Sequence, residues 1–272
     1  MSDYGIIRYG LRSPYFSFLQ AIVEAEGPSP ADTEPRIWWD FSDQAFLTLN
    51  GSRITAVTDL STNHWINTIS TNPILQPTSQ QVASWNNLYG AVMSSSDGGN
   101  DTVSTTITDG AAQTAQPFTW VSLFRTSSTI SELEQLYGTT ATDQASLSWS
   151  GVGGQPHGFA GSAASRYPST LATNTTYIDI TIFNGSSSIT RINGTPGTAY
   201  NPGATIISSD EGTGFGLFNL SFSPPSYTMG EFLYYRRALA SSESEFLEGY
   251  LAHKFDQAAV LPSSHPYKSA PP

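Results

Sequence analysis

The chain contains no cysteine. That excludes disulfides, thiolate metal sites and a cysteine nucleophile. It also argues against a eukaryotic secreted protein, where β-rich domains of this size commonly carry disulfides. Positive charge is scarce: 11 Lys and Arg stand against 22 Asp and Glu, a formal net charge of −11. Nucleic acid is not an expected partner, because phosphate binding draws on Lys and Arg. Charge of either sign amounts to only 12% of residues, so the surface must stay soluble through neutral Ser, Thr, Asn and Gly. No apolar run approaches the about 20 residues that cross a bilayer. Phe16–Ala25 fits a secretory signal poorly, since Ser17 and Gln20 interrupt its apolar region before Val23-Glu24-Ala25. No internal repeat of about 20–50 residues is visible.

What the sequence does contain is strand patterning. In TYIDITIFNGSSSITRING (176–194), Ile178, Ile180 and Ile182 alternate with Asp179 and Thr181, the period of a half-buried strand. Asn184-Gly185 and Asn193-Gly194 then supply residues that accept the positive φ of tight turns. The isoleucine face calls for a second sheet to cover it, hence a sandwich. Further strands are expected at IWWDFSD, at LTLNGSRITAV with its Asn50-Gly51 turn, and at PFTWVSLFRT (117–126). SLSWSGVG, GFGLFNLSF and YTMGEFLYY (227–235) complete the set, while SELEQLYG fits helix and strand equally. One of the adjacent Trp38 and Trp39 must face the core and the other away from it.

Two segments depart from this pattern. Ser13-Pro14 begins a short helix carrying Phe16, Leu19, Ile22 and Val23 on one face, followed by the Pro-rich acidic PSPADTEP, read as a linker without regular structure. Residues 1–35 therefore form an arm and linker, and the apolar face packs either on its own domain or on a partner subunit. Near the other end, Ser242 and Glu245 have capping-box spacing, and Phe246, Leu247, Tyr250 and Leu251 recur at helical intervals. A helix over 241–255 follows, with Glu243 and Glu245 in its first turn and His253 and Lys254 in its last. LPSSHPYKSAPP is expected to lie extended over the surface. The architecture is all-β: a two-sheet antiparallel jelly-roll sandwich over 36–272, with a C-terminal α-helix and a short N-terminal arm.

Several pieces taken together carry a family resemblance. IWWDFSD, DLSTN, SSSDGGNDTVS, PFTWVSLFR and ITRINGTPG precede MGEFLYYRRALASSESEFLEGYLAHKF and LPSSHPYK. This series resembles the LamG-like, concanavalin A-like jelly rolls, over roughly residues 36 to 268. Its C-terminal part is similar to domains of phage virion proteins and bacterial surface proteins. The resemblance implies a sandwich that binds glycans or other proteins, not an enzyme by default. It implies a virion structural protein at the particle surface, such as a head decoration, head fibre or tail-fibre component. Such a protein would contact other virion proteins through its arm, and a homo-oligomer is expected. The alternative is a bacterial surface or secreted carbohydrate-binding module. DLSTN departs from the family's pattern by placing Thr62 where glycine is usual.

The candidate sites are few. No catalytic residues are assigned: there is no G-x-S-x-G elbow and no His pair at metalloprotease spacing. A retaining glycosidase needs two carboxyls about 5–5.5 Å apart, and the only glutamate cluster, Glu243, Glu245 and Glu248, falls on the helix, where capping accounts for it. His253 and His265 are read as structural. For glycans, the DLSTNHW loop offers Trp65 for stacking and Asp59, Asn63 and His64 for hydroxyls. No cofactor is required, though Asp97, Asn100 and Asp101 in a Gly-containing loop offer the hard oxygens that Ca²⁺ prefers. A solvated turn with Asx-type hydrogen bonds explains the same residues.

Overall fold

The computed structural model describes residues 29–64, 67–69, 76–94, 101–105, 113–114, 116–128, 134–139, 145–150, 155–160, 169–204, 207–208, 215–218 and 227–272. Among the described residues, eighteen strands run in chain order: β1 (Ile37–Asp40), β2 (Leu47–Asn50), β3 (Arg53–Val57), β4 (Asn67–Ile69), β5 (Thr78–Gln81), β6 (Tyr89–Met93), β7 (Thr102–Thr105), β8 (Gln113–Thr114), β9 (Phe118–Thr126), β10 (Glu134–Thr139), β11 (Ala145–Ser150), β12 (Gln155–Ala160), β13 (Thr176–Phe183), β14 (Ile189–Ile192), β15 (Thr195–Pro196), β16 (Ile207–Ser208), β17 (Phe215–Phe218) and β18 (Tyr227–Tyr235). The α-helix among the described residues follows, α1 (Ser241–Lys254). The expected all-β sandwich with a C-terminal helix is what forms.

A ten-stranded antiparallel sheet runs β15-β14-β13-β9-β18-β6-β5-β3-β2, with β1 also paired to β18. A six-stranded sheet, β12-β11-β10-β17-β7-β4, lies against it, and β16 pairs with β8 apart from both. Phe118, Trp120 and Phe124 of β9, Phe183 of β13, and Phe232 and Tyr234 of β18 meet Ile69, Val103 and Ala160 of the smaller sheet in one buried cluster. SELEQLYG resolves as strand, since Glu134–Thr139 is β10.

The isoleucine face of β13 is covered differently from the expectation. Ile178, Ile180 and Ile182 pack with Phe246, Leu247 and Leu251 of α1, together with Val121 and Leu233. The alternate face, expected to be wet, is buried inside the sandwich: Asp179 and Thr181 are fully enclosed. There the Thr181 hydroxyl donates to Asp179, shares a hydrogen bond with Thr190 at 3.2 Å, and Thr190 meets the Tyr200 hydroxyl at 3.0 Å. Tyr200 in turn accepts from the Gly158 N–H on β12. A strand covered on both faces satisfies its polar side chains with one another, since buried polar groups must be hydrogen-bonded.

Turn chemistry follows the sequence closely at one site. Asn193 and Gly194 both take positive φ, 51° and 77°, as a two-residue hairpin between β14 and β15 requires. At the other two, only Gly51 and Gly185 are left-handed, not the preceding asparagines. In β18, a bulge at Gly230 shifts the alternation, because Met229 opposes Phe124 while Glu231 already opposes Leu123.

Both termini of the domain are more ordered than expected. Pro30–Thr33 is a 3-10 turn capped by Ser29, whose N–H donates to Asp32 at 2.7 Å. Its Thr33 hydroxyl meets the Tyr235 hydroxyl at 2.7 Å, so the PSPADTEP segment is packed from Ser29 onward. The helix starts at Ser241, as expected, with Ala240 as its N-cap, two residues before the Ser242 of the Ser242/Glu245 box. Glu243 is the residue that accepts from the Ala240 N–H, and it also takes both guanidinium nitrogens of Arg237 at 2.7 Å. The tail is folded rather than extended: Lys268 Nζ donates to the carbonyls of Ala258, Ala259 and Leu261, and Leu261 and His265 are buried. Arm residues Phe16, Leu19, Ile22 and Val23 lie outside the described residues.

Candidate functional site

The DLSTNHW loop closes onto the start of β1. Asp59 points inward, 2% exposed, and its carboxylate accepts from the N–H of Trp38 at 2.9 Å and of Ser61 at 3.0 Å and from the Ser61 hydroxyl at 2.8 Å. Asn63 accepts from the Arg36 guanidinium at 2.8 Å and donates to the Arg36 carbonyl at 3.2 Å. His64 is exposed and carries the loop's positive φ of 48°, with its Nδ1 3.2 Å from the Asp59 carbonyl. Thr62 therefore stands where glycine is usual without needing a glycine's conformation. The structure brings Asp59, Asn63 and His64 into one loop, with the first two bracing it internally. Trp65 lies outside the described residues.

Of the calcium candidates, Asp97 and Asn100 lie outside the described residues. Asp101 is buried and accepts from the Ser94 N–H at 2.7 Å, closing the loop between β6 and β7. Burial, with the Asp101 charge added, pushes the Tyr227 hydroxyl well above its ordinary pKa. Among the described residues, no group of three or more His, Cys, Asp and Glu is placed to hold a metal ion.

A strand-borne carboxylate pair, not legible in the sequence, does form. Asp40 on β1 and Glu231 on β18 are direct cross-strand partners. Lys254 from α1 inserts its ammonium between them, 2.8 Å from Asp40 and 2.5 Å from Glu231. Glu231 also accepts from the Trp38 indole N–H at 2.6 Å and from the Tyr250 hydroxyl at 3.2 Å. Burial raises Glu231 to about 7 against the pull of Lys254. Lys254 itself is held well above the ordinary lysine value, because Glu231, Tyr250 and Asp40 outweigh its own burial. A raised carboxyl beside a second carboxyl has the electronic form of a glycosidase acid. Here, however, the lysine fills the space between the two and the helix covers them. The pair fastens α1 to the sheet.

A second buried cluster does the same farther along. Glu248 accepts from Arg191 of β14 through both oxygens, at 2.7 and 2.8 Å, and lies 3.2 Å from His265 Nε2. Glu248 is thus an inward ion-pair partner, not a capping residue. Glu248 and His265 lock helix, sheet and tail together.

At one end of the sandwich lies an open groove of about 500 Å³, lined by Gln116, Asn184, Gly185, Ser186, Asn201, Gly203 and Ala204. Gln116 bridges its walls: it accepts from the Gly185 N–H at 2.6 Å and donates to the Gly203 carbonyl at 2.8 Å. Sequence reading named Asn184-Gly185 only as a turn, and nothing local connects it to residues 201–204.

No family model and no curated protein matches the chain. Solved structures do share its fold. Domain 4 of AbnA, an extracellular arabinanase from Geobacillus stearothermophilus solved with arabinotriose, superposes with a TM-score of 0.57 at 15% identity, over 79% of this chain and 99% of that domain. A structure of botulinum neurotoxin type C, whose cell entry depends on interaction with two ganglioside molecules, gives 0.57 at 9% identity, over 81% of this chain and 52% of that one. The binding domain of botulinum neurotoxin DC in complex with SialylT gives 0.55 at 10% identity, over 80% and 51%. The chain thus spans about half of the toxin chains and 33% of a Trypanosoma rangeli sialidase that it also resembles. At these identities the likeness establishes the β-sandwich fold.

Proposed function

We propose that this chain is a glycan-binding β-sandwich module that works by binding rather than by bond cleavage, and that it is displayed on a virion surface. One observation carries the first part. The cross-strand carboxylate pair, Asp40 and Glu231, is plugged by Lys254 and roofed by α1, while the open groove at the sandwich end is lined by uncharged polar groups. The virion assignment rests on the likeness of the C-terminal strand, helix and tail to phage virion domains. In this reading the arm bearing Phe16, Leu19, Ile22 and Val23 docks on other virion proteins, the chain assembles as a homo-oligomer, and Ca²⁺ binds at Asp97, Asn100 and Asp101.

A second reading, a carbohydrate-binding module of a bacterial surface or secreted protein, is favoured by the near-complete coverage of the arabinanase domain. Mass spectrometry of purified phage particles separates the two. Detecting this chain there supports the virion reading, and its absence from particles of a phage that encodes it overturns that reading. A glycan array probed with the tetramerised protein tests binding itself. Release of reducing ends from any bound glycan overturns the non-catalytic reading.

A further inference from the structure

The groove at the sandwich end has the construction of a binding site. It forms where three separate pieces of chain meet: Gln116 just before β9, the turn between β13 and β14, and residues 201–204. Each piece is fixed from behind. Gln116 ties the other two together through its carboxamide. The Asn184 N–H donates to the Ser188 hydroxyl, which donates to the Gly185 carbonyl, both at 2.7 Å. Asn201 accepts from the Gly203 N–H at 3.0 Å, and the Pro202 carbonyl accepts from Ala160 of β12, so the far wall is anchored to the smaller sheet. The walls are therefore held in place before any ligand arrives, which lowers the ordering cost of binding.

What faces outward is chemically uniform. Asn184, Ser186 and Asn201 are exposed, and they present a carboxamide, a hydroxyl and an amide NH₂. Above Gly185 the space is open, with nothing within 4 Å of where a Cβ would stand. Gly185, Gly203 and Ala204 leave low apolar surface between the polar groups. Among the described residues no charged side chain lines the groove, in a protein of net charge −11. An anion would call for Arg or Lys, and a hard cation for carboxylates. Mixed neutral donors and acceptors match a ligand whose groups both donate and accept, which is what sugar hydroxyls do. A volume of about 500 Å³ lies within the range of small-molecule pockets.

We propose that this groove is the glycan-binding site and that its ligand is a neutral oligosaccharide, held by Asn184, Ser186 and Asn201 on a frame set by Gln116. The assignment rests on the glycan-binding reading above and names the place and the sugar class. The test uses the full chain, tetramerised on streptavidin, against printed neutral arabino-, manno-, gluco- and galacto-oligosaccharides and sialylated oligosaccharides. Ser186→Trp fills the groove from an exposed position. Asn184→Asp and Asn201→Asp keep shape and the Gly203 contact while replacing a donor with a charged acceptor. Wild type is expected to bind neutral glycans, Ser186→Trp to lose binding, and each Asp variant to bind about tenfold more weakly, all with unchanged melting temperature. Groove variants that bind like wild type overturn the site. If binding is instead lost in His64→Ala, the glycan reading stands and the site moves to the loop at 59–64. Binding of sialylated glycans alone overturns the neutral class. Wild type that binds no printed glycan overturns the glycan reading itself, and the groove assignment with it.

Discussion

The two faces of the ten-stranded sheet are buried by different means. The face turned to the smaller sheet is an aromatic core, where Phe118 stacks on Phe183 at 4.5 Å and Trp120 meets Phe183 edge-on at 4.9 Å. The face turned to α1 is mostly aliphatic on the sheet, with Val121, Leu123, Ile178, Ile180, Ile182 and Leu233, and carries two buried ionic clusters, Asp40–Lys254–Glu231 and Arg191–Glu248–His265. A second sheet contacts the first over many strands, and packing over that area holds its position together with a few hydrogen bonds such as Gly158 N–H to Tyr200. A single helix lying on aliphatic side chains has little to stop it sliding along its axis. Ion pairs near Glu248 and Lys254 pin it at two points. Area holds one face and position-specific charge holds the other.

The largest effects should come from unbalancing a cluster. Glu248→Ala removes the carboxylate that the Arg191 Nε and Nη2 donate to and is expected to cost about 3–5 kcal/mol in urea denaturation. Replacing both partners, Arg191→Met with Glu248→Leu, should recover most of that loss, since apolar substitutes often match a buried pair. A double variant as unstable as the single one would show that the pair does more than satisfy itself. Leu247→Ala, on the same helix but in its apolar contact, is expected to cost about 2–5 kcal/mol with no such rescue.

A pH titration sharpens the contrast further. Glu231 holds its proton to about 7 in the folded chain, against 4.5 ordinarily. Its contribution is thus fully present below about pH 4.5 and lost as pH rises through about 7, with a slope of at most about 1.4 kcal/mol per unit. Glu231→Gln should flatten stability across that window, whereas Leu247→Ala should shift the whole curve without changing its slope. An unchanged slope in Glu231→Gln would remove Glu231 as the source. The smallest effect is expected from Trp38→Phe, which keeps the ring and loses the indole bond to Glu231, at about 1–2 kcal/mol. Thermal melting at pH 5 and pH 7 should show that loss to be greater at pH 7, where Glu231 is more often ionised.

These contrasts also mark what the sequence can carry. β9 and β18 are legible because nine-residue stretches rich in β-branched and aromatic residues favour strand. That Trp38 and Trp39 point to opposite faces follows from alternation alone, but that Trp39 is the one in the aromatic core does not. Alternation does not say what lies over each face, so Asp179 and Thr181 read as solvent-facing although the smaller sheet buries them. The Asp40–Glu231 pair needs the β1–β18 register, which no local pattern supplies. Asp59 looks like any polar loop residue, and only the fold shows it turned inward to brace Trp38 and Ser61. The groove is hidden for the same reason: Gln116, Asn184 and Asn201 become neighbours only after three distant segments close.

The bulge at Gly230 acts as a dislocation in the sheet. Along one edge of β18, Tyr227–Met229 pairs with β6, whereas Glu231–Tyr234 pairs with β1, and the extra residue sits where one neighbour gives way to the other. The strand is consequently written in two spatial reading frames. Before the defect, odd-numbered residues enter the aromatic core, as Tyr227 and Met229 do; after it, even-numbered ones do, as Phe232 and Tyr234 do. Removing one glycine would restore a single frame, and one half of the strand would then present the wrong side chains to both of its surroundings. A Cβ at that position would already lie 2.7 Å from Phe255 and 2.9 Å from Leu123, so the frame change is reserved for the one residue type that fits it.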